Sequence, residues 1–171
     1  MKIASFVIVV STLFGVAACG GDVAVHDPEH YVPELRYFDI VDSYDTDTAR
    51  DPRADLALSP YRYNGLFEIF WGVNSLEDYT VSLKINDRPS LVNSITVHSD
   101  VCGEHRWCDQ AGNLVCEYTE NLYMSCDNSN QLIDILPLFE QNPPQTLYLF
   151  LEVCDNDSDY CEYDYYPVLM E

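Results

Sequence analysis

The strongest constraint on this chain is a repeat of two. Tyr79, Val81, Leu83 and Ile85 alternate with Thr80, Ser82, Lys84 and Asn86. An extended backbone therefore puts every apolar side chain of this run on one face. Phe67, Ile69, Trp71 and Val73 repeat the pattern with Glu68 opposite, and Asn74 to Asp78 supply turn chemistry between the two runs. Ile95 and Val97 continue it, with Thr96 and His98 outward. Leu147 to Leu151 is apolar on both faces, which suits a central strand. A last strand runs from near Glu162 to Met170, and Pro167 within it points to a sheet edge. Residues 131–139 have helical spacing at Leu132, Ile133, Leu136 and Phe139, but Pro137 breaks a helix. They predict a short helical turn or a crossover between sheets, and Pro143-Pro144 then lead into the central strand.

About eight strands with short turns, and no long helical pattern, predict an all-β chain built as an antiparallel β-sandwich. An immunoglobulin-like Greek key is the first expectation, from a Trp on an early inward strand, a crossover and an apolar penultimate strand. No cysteine pair has the inter-sheet spacing of antibody domains around that Trp, and a small jelly roll is the alternative.

The first residues read as an address. Lys2 provides a positive start, Ile3 to Val16 an apolar stretch, and Ala17-Ala18 a small-residue cleavage site. The stretch is shorter than the ~20 apolar residues that span a bilayer. Its end, Val16-Ala17-Ala18-Cys19, resembles the lipobox of bacterial lipoproteins. The resemblance covers the signal and Cys19 only. It implies removal of residues 1–18, a diacylglyceryl group on the Cys19 thiol and acylation of its amine. Several acyl chains at about 0.8 kcal/mol per buried CH₂ would make a lasting anchor. The resemblance also implies a bacterial cell-envelope location. Enterobacterial members held at the inner membrane carry Asp directly after the Cys. Gly20 and Gly21 stand there instead, with Asp22 too late, so the outer membrane is expected. Residues 19–34 read as the lipidated Cys and a tether, and 35–171 as a single domain.

With Cys19 set aside, Cys102, Cys108, Cys116, Cys126, Cys154 and Cys161 remain. In an oxidising compartment an even set predicts three disulfides, with fifteen possible connectivities. All lie in the C-terminal half, so the N-terminal half of the domain must hold by packing. Alternation puts Cys116 on the face of Leu114 and Tyr118, and Cys126 on the face of Leu122 and Met124. A hairpin of these two segments sets the sulfurs opposite each other, pointing inward. Cys154 and Cys161 flank the turn-like Asp155 to Tyr160, and Cys102 with Cys108 is left by subtraction. A rival solution pairs Cys108 with Cys116 across Asp109 to Asn113. Loops this short contribute roughly 2–3 kcal/mol each on the chain-entropy model. Cys102, His105 and Cys108 also have metal-ligand chemistry, but disulfides are the expected state outside the cytoplasm.

Charge narrows the partners. There are 29 acidic and 8 basic residues, a formal net charge of −21. Phosphate backbones and anionic membrane surfaces are repelled by such a chain, so no nucleic-acid partner is expected. Lys84 is the one lysine after the leader. Calcium suits the acidic loops best. Asp155, Asp157 and Asp159 match positions one, three and five of an EF-hand loop, but Tyr160 stands where Gly is needed and Tyr166 where the bidentate Glu belongs. Asp39, Asp42, Asp45, Asp47, Asp51 and Asp55 form a second acidic stretch without that Gly. His26 and His30 would share a helix face, but Pro28 lies between them; His98 and His105 read as surface residues. The chain has no G-x-S-x-G, no H-E-x-x-H and no phosphate-cradling glycine loop, and no enzyme activity is expected. The remaining candidates are aromatic. Tyr160, Tyr163 and Tyr165 crowd the C-terminus beside acids, a composition suited to an interface with an envelope protein or a saccharide. A calcium-stabilised structural domain and, further off, a small hydrolase are the competing readings.

Overall fold

A computed structural model describes residues 32–42, 56–127 and 131–171. Its strands are β1 (Glu34–Val41), β2 (Leu56–Leu58), β3 (Leu66–Asn74), β4 (Tyr79–Asn86), β5 (Ile95–Cys102), β6 (Ala111–Tyr118), β7 (Tyr123–Cys126), β8 (Ile133–Asp134), β9 (Gln145–Asp155) and β10 (Cys161–Met170). They form a two-sheet β-sandwich. Sheet I has the order β1-β3-β6-β7-β8 and sheet II the order β2-β10-β9-β4-β5. In chain order the strands change sheet from β1 to β2, from β2 to β3, from β3 to β4, from β5 to β6 and from β8 to β9. Every pair is antiparallel except β2, which runs parallel to the end of β10. The strands that the alternation did not place are β1, β2 and β8, the last two only three and two residues long.

The alternation read from the sequence sets the inner faces. Phe67, Ile69, Trp71 and Val73 of β3 are buried against Tyr79, Val81, Leu83 and Ile85 of β4 and Leu147, Leu149, Leu151 and Val153 of β9. Each such side chain stabilises by about 1.5–3 kcal/mol relative to exposure. β9 lies between β10 and β4, the central place its two apolar faces require. Residues 131–139 hold both predicted features, a 3-10 turn at Leu136–Leu138 and the passage into the other sheet.

Two departures have local causes. His98 is half-buried rather than outward, and its Nε2 is shielded from solvent without a hydrogen-bond partner. The register of β5 skips between His98↔Leu83 and Thr96↔Lys84, so a bulge turns His98 to the side of the inward Leu83. Pro167 marks an edge only in part. Val168 to Met170 pair with β2, whereas among the described residues Cys161 to Pro167 pair with β9.

The three disulfides are Cys102–Cys108, Cys116–Cys126 and Cys154–Cys161. The second joins register partners on the inner face, as the hairpin alternation requires. The first has both cysteines fully buried. It closes the loop that carries the chain from β5 in sheet II to β6 in sheet I.

Next to that loop lies the largest buried side chain, Trp71. It faces Gly112 across β3 and β6, and a Cβ on Gly112 would lie 2.3 Å from the indole. Trp107 of the loop meets Trp71 edge-on at 5.8 Å and donates its indole N–H to Asp100 Oδ2 at 2.7 Å. The Tyr79 hydroxyl donates to the Asp109 carbonyl at 2.7 Å, tying β4 to the start of the β6 approach. Gly112→Ala should therefore overpack this end of the sandwich and cost about 1–3 kcal/mol, measured as a lower urea midpoint. An unchanged midpoint would show that Trp71 has room to move.

Candidate functional site

β10 faces two ways, and that decides what its tyrosines can do. Strand alternation puts Cys161, Tyr163, Tyr165 and Pro167 on the outer face of sheet II, and Glu162, Asp164 and Tyr166 on the other side. On the outer face Tyr165 is the register partner of Phe150, which in turn pairs with Lys84. Phe150 is fully buried although it lies outside the main core. The Tyr165 ring covers it at 5.3 Å and the Tyr163 ring at 6.1 Å, while Tyr148 meets Tyr165 edge-on at 6.0 Å. Tyr163 and Tyr165 themselves stay 53% and 40% exposed. Beside them Lys84 is ion-paired with Glu152.

The opposite side of β10 fastens the sandwich edge. Glu162 Oε2 accepts the Leu35 backbone N–H at 2.8 Å, and Glu162 Oε1 accepts the Tyr160 hydroxyl at 2.6 Å. Tyr166 donates its hydroxyl to the Phe38 carbonyl at 3.0 Å and packs edge-on against the Phe38 ring at 5.3 Å. β10 of sheet II is thus tied to β1 of sheet I through side chains. The hydrogen bond to the Glu162 carboxylate pushes the Tyr160 pKa up, with burial and the charges of Glu162 and Glu34 adding. Of the three tyrosines expected together, Tyr163 and Tyr165 share a surface, and Tyr160 belongs to the edge fastening instead. Counting outward from Cys161 by twos would have separated them.

Among the described residues, the acids singled out for calcium form no group with metal-ligand spacing. Asp155 is buried at the end of β9, with its backbone N–H on the Tyr160 carbonyl at 2.9 Å, while Asp157 and Asp159 are exposed on the turn. The reason is the hairpin. A strand pair closing at Asp155 and Tyr160 turns Asp155 inward and leaves the tip splayed. In the other stretch Asp39 accepts the Ile40 N–H and Asp42 caps β2 by accepting the Ala57 N–H at 3.0 Å. Asp45, Asp47, Asp51 and Asp55, like Cys19, His26 and His30, lie outside the described residues. Glu152, Cys154 and Cys161 are close enough for a metal, but the two sulfurs are joined to each other and offer no thiolate.

Two buried tyrosines have opposite circumstances. Burial pushes Tyr79 up to about 12, with the Asp109 charge adding and the nearby Trp71 N–H opposing. That N–H approaches Tyr79 without meeting hydrogen-bond geometry. Burial also pushes Tyr118 up to about 12, with Tyr61 adding, and its hydroxyl has no hydrogen-bond partner among the described residues. Neither role was legible beforehand, since both read simply as strand tyrosines.

Comparison with known proteins finds no matching family model, no similar curated protein and no similar solved structure.

Three outcomes follow from this geometry. Tyr163→Ser and Tyr165→Ser should each leave a cooperative unfolding transition, whereas Phe150→Ala should cost about 3–5 kcal/mol by differential scanning calorimetry. Tyr79→Phe should cost about 1 kcal/mol for the lost hydrogen bond, while Tyr118→Phe should be neutral or stabilising. The raised tyrosine pKa values set the alkaline limit. Between the unfolded pKa of 10.0 and the folded value near 12, the unfolded state has lost the proton that the native state keeps, so stability falls as pH rises through that window. Urea midpoints measured from pH 9 upward should decline there, and either Phe variant should flatten the decline.

Proposed function

We propose that the chain is a lipid-anchored protein of the bacterial cell envelope whose β-sandwich serves as a non-catalytic binding module. The signal-like leader and the lipobox-like Val16-Ala17-Ala18-Cys19 support the anchor, with the outer membrane as its site. The single observation that carries the binding role is the pair Tyr163 and Tyr165. Both are half-exposed on a rigid sheet face, seated on a buried Phe150 and beside a disulfide. A rigid aromatic surface brings apolar contact area at low entropic cost, which is what a binding face needs. Disulfide stapling suits exposure outside the cytoplasm. One sheet supports an immunoglobulin-like reading of the sandwich: β10, β9, β4 and β5 run side by side as strands G, F, C and C′ of that fold do. The other sheet departs from it, because β6, the first strand after the crossover, lies next to β3 where that fold puts the second.

The test is made in the producing cell. Wild-type protein should take up labelled palmitate and partition into detergent, and Cys19→Ser should do neither. A photocrosslinking residue at position 165 should trap one abundant envelope component, and one at position 120, on an exposed turn, should not. Absence of lipid on the wild type would refute the anchor. Equal background capture at both positions would refute the binding face.

A further inference from the structure

The outer face of sheet II differs in charge from the chain as a whole. The chain holds 29 acids and 8 bases, yet the outward positions of β10, β9, β4 and β5 carry one of each, Glu152 and Lys84. These two are paired with each other, so the face is neutral. It has two halves. On the β10 side, Tyr165 lies 5.3 Å from the buried Phe150 ring at a tilt of 35°, which covers one face of Tyr165 and turns the other to solvent. Tyr148 meets it edge-on, and Tyr163 stands two residues along the same strand, about 7 Å away. The hydroxyls of these three tyrosines make no hydrogen bond among the described residues, whereas those of Tyr79, Tyr160 and Tyr166 are all bonded. On the β4 side the surface is made of small hydroxyls. Ser82 and Ser99 share a hydrogen bond at 2.9 Å, and Thr96 is exposed beside them. The ion pair sits between the two halves. Glu152 is the register partner of both Tyr163 and Ser82, and Lys84 is that of Phe150. Lys84 is bonded to Glu152 Oε2, which leaves Oε1 and two ammonium N–H groups unbonded among the described residues.

We propose that this face binds a neutral glycan chain built of pyranose rings with equatorial hydroxyls. Such a ring is apolar on its C–H faces and polar around its rim. The solvent face of Tyr165 takes a C–H face by apolar contact. The rim hydroxyls then donate to Glu152 Oε1 and accept from the Lys84 ammonium, and hydrogen bonds to charged groups are the strong ones. The chain of sugars continues along β10 past Tyr163, whose hydroxyl is open to it. Aromatic surface with a few convergent polar groups is the usual make-up of a small-ligand site. A protein partner suits this face less. Ser, Lys and Glu are depleted at protein interfaces, and Ser82, Lys84 and Glu152 hold the middle of this one. A second copy of the chain would bring a further net charge of −21 to the contact. An acidic glycan is repelled by the same excess of acids, whereas a neutral glycan meets a neutral face. The inference rests on the binding-module reading and gives that module a ligand class.

The test is isothermal titration calorimetry of the protein purified intact, with cellotetraose, chitotetraose and, as the acidic counterpart, tetragalacturonate. Cellotetraose, chitotetraose or both should give a saturable heat, and tetragalacturonate should bind at least tenfold more weakly. Tyr165→Ser should weaken the neutral sugar by about tenfold. Both tyrosine-to-serine variants keep a cooperative unfolding transition on the account above, so loss of binding would not be loss of the fold. The double variant Lys84→Leu with Glu152→Leu removes donors and acceptors without stranding either charge, and it should also weaken binding by about tenfold. Glu120→Gln should leave binding unchanged. No saturable heat with either neutral sugar, equal binding of tetragalacturonate, or indifference to Tyr165→Ser would overturn the inference. So would a dimer, seen by sedimentation, that Tyr165→Ser disperses, because a second copy would then occupy the face. Capture of an envelope protein at position 165 in cells, with no sugar bound, would overturn the glycan and leave the binding module standing. Equal background capture at positions 165 and 120 is the separate result that refutes the module itself.

Discussion

The sandwich depends on how its two sheets are held where the chain passes from β5 to β6. Trp71 occupies the space that Gly112 leaves open, and Trp107 closes over its edge. Tyr79 reaches from sheet II to the Asp109 carbonyl, and Cys102–Cys108 braces the loop between. These contacts join β3 and β4 to the loop between β5 and β6. A side chain on Gly112 or a shorter residue at Trp71 would disturb packing in both sheets. The Cys116–Cys126 bond fastens a hairpin of sheet I, and Cys154–Cys161 fastens one of sheet II. Neither ties one sheet to the other, which leaves that task to the Trp71 cluster and to the fastening at β10.

A core settled in this way frees the outside of β10 for contact. Its inner-side residues carry structure: Glu162 holds Leu35, and Tyr166 holds Phe38. Its outer residues, Tyr163 and Tyr165, pack on Phe150 and Tyr148 and keep about half their surface exposed. The same strand thus fastens the sandwich with one set of side chains and presents aromatic surface with the other. The bulge at Arg36 adds an exposed cation to the rim between β1 and β10.

Much of this was legible in the amino-acid order because period-two alternation has few solutions once one face is buried. It placed β3, β4 and β9, and it paired Cys116 with Cys126. It failed where backbone geometry breaks the count. The Arg36 bulge hides β1, whose inward Phe38 and Ile40 no longer align with Leu35. The β5 bulge turns His98 inward. Trp107 sits in a disulfide loop with no periodicity, so its contact with Trp71 had no sequence signal. Tyr160 was grouped by composition with Tyr163 and Tyr165, although strand parity already divides them. The acidic run at Asp155 suggested an ion because spacing alone does not say which carboxylates a hairpin turns inward.

The central claim is that the outer face of β10 is a contact surface in the cell and not part of the folding core. Hydrogen exchange tests it most directly, comparing the protein in isolated envelope membranes with the purified protein. Backbone amides at Cys161 to Tyr165 should exchange more slowly in the membranes, with the inner strands β3, β4 and β9 unchanged. The same exchange at those positions in both preparations would contradict the account.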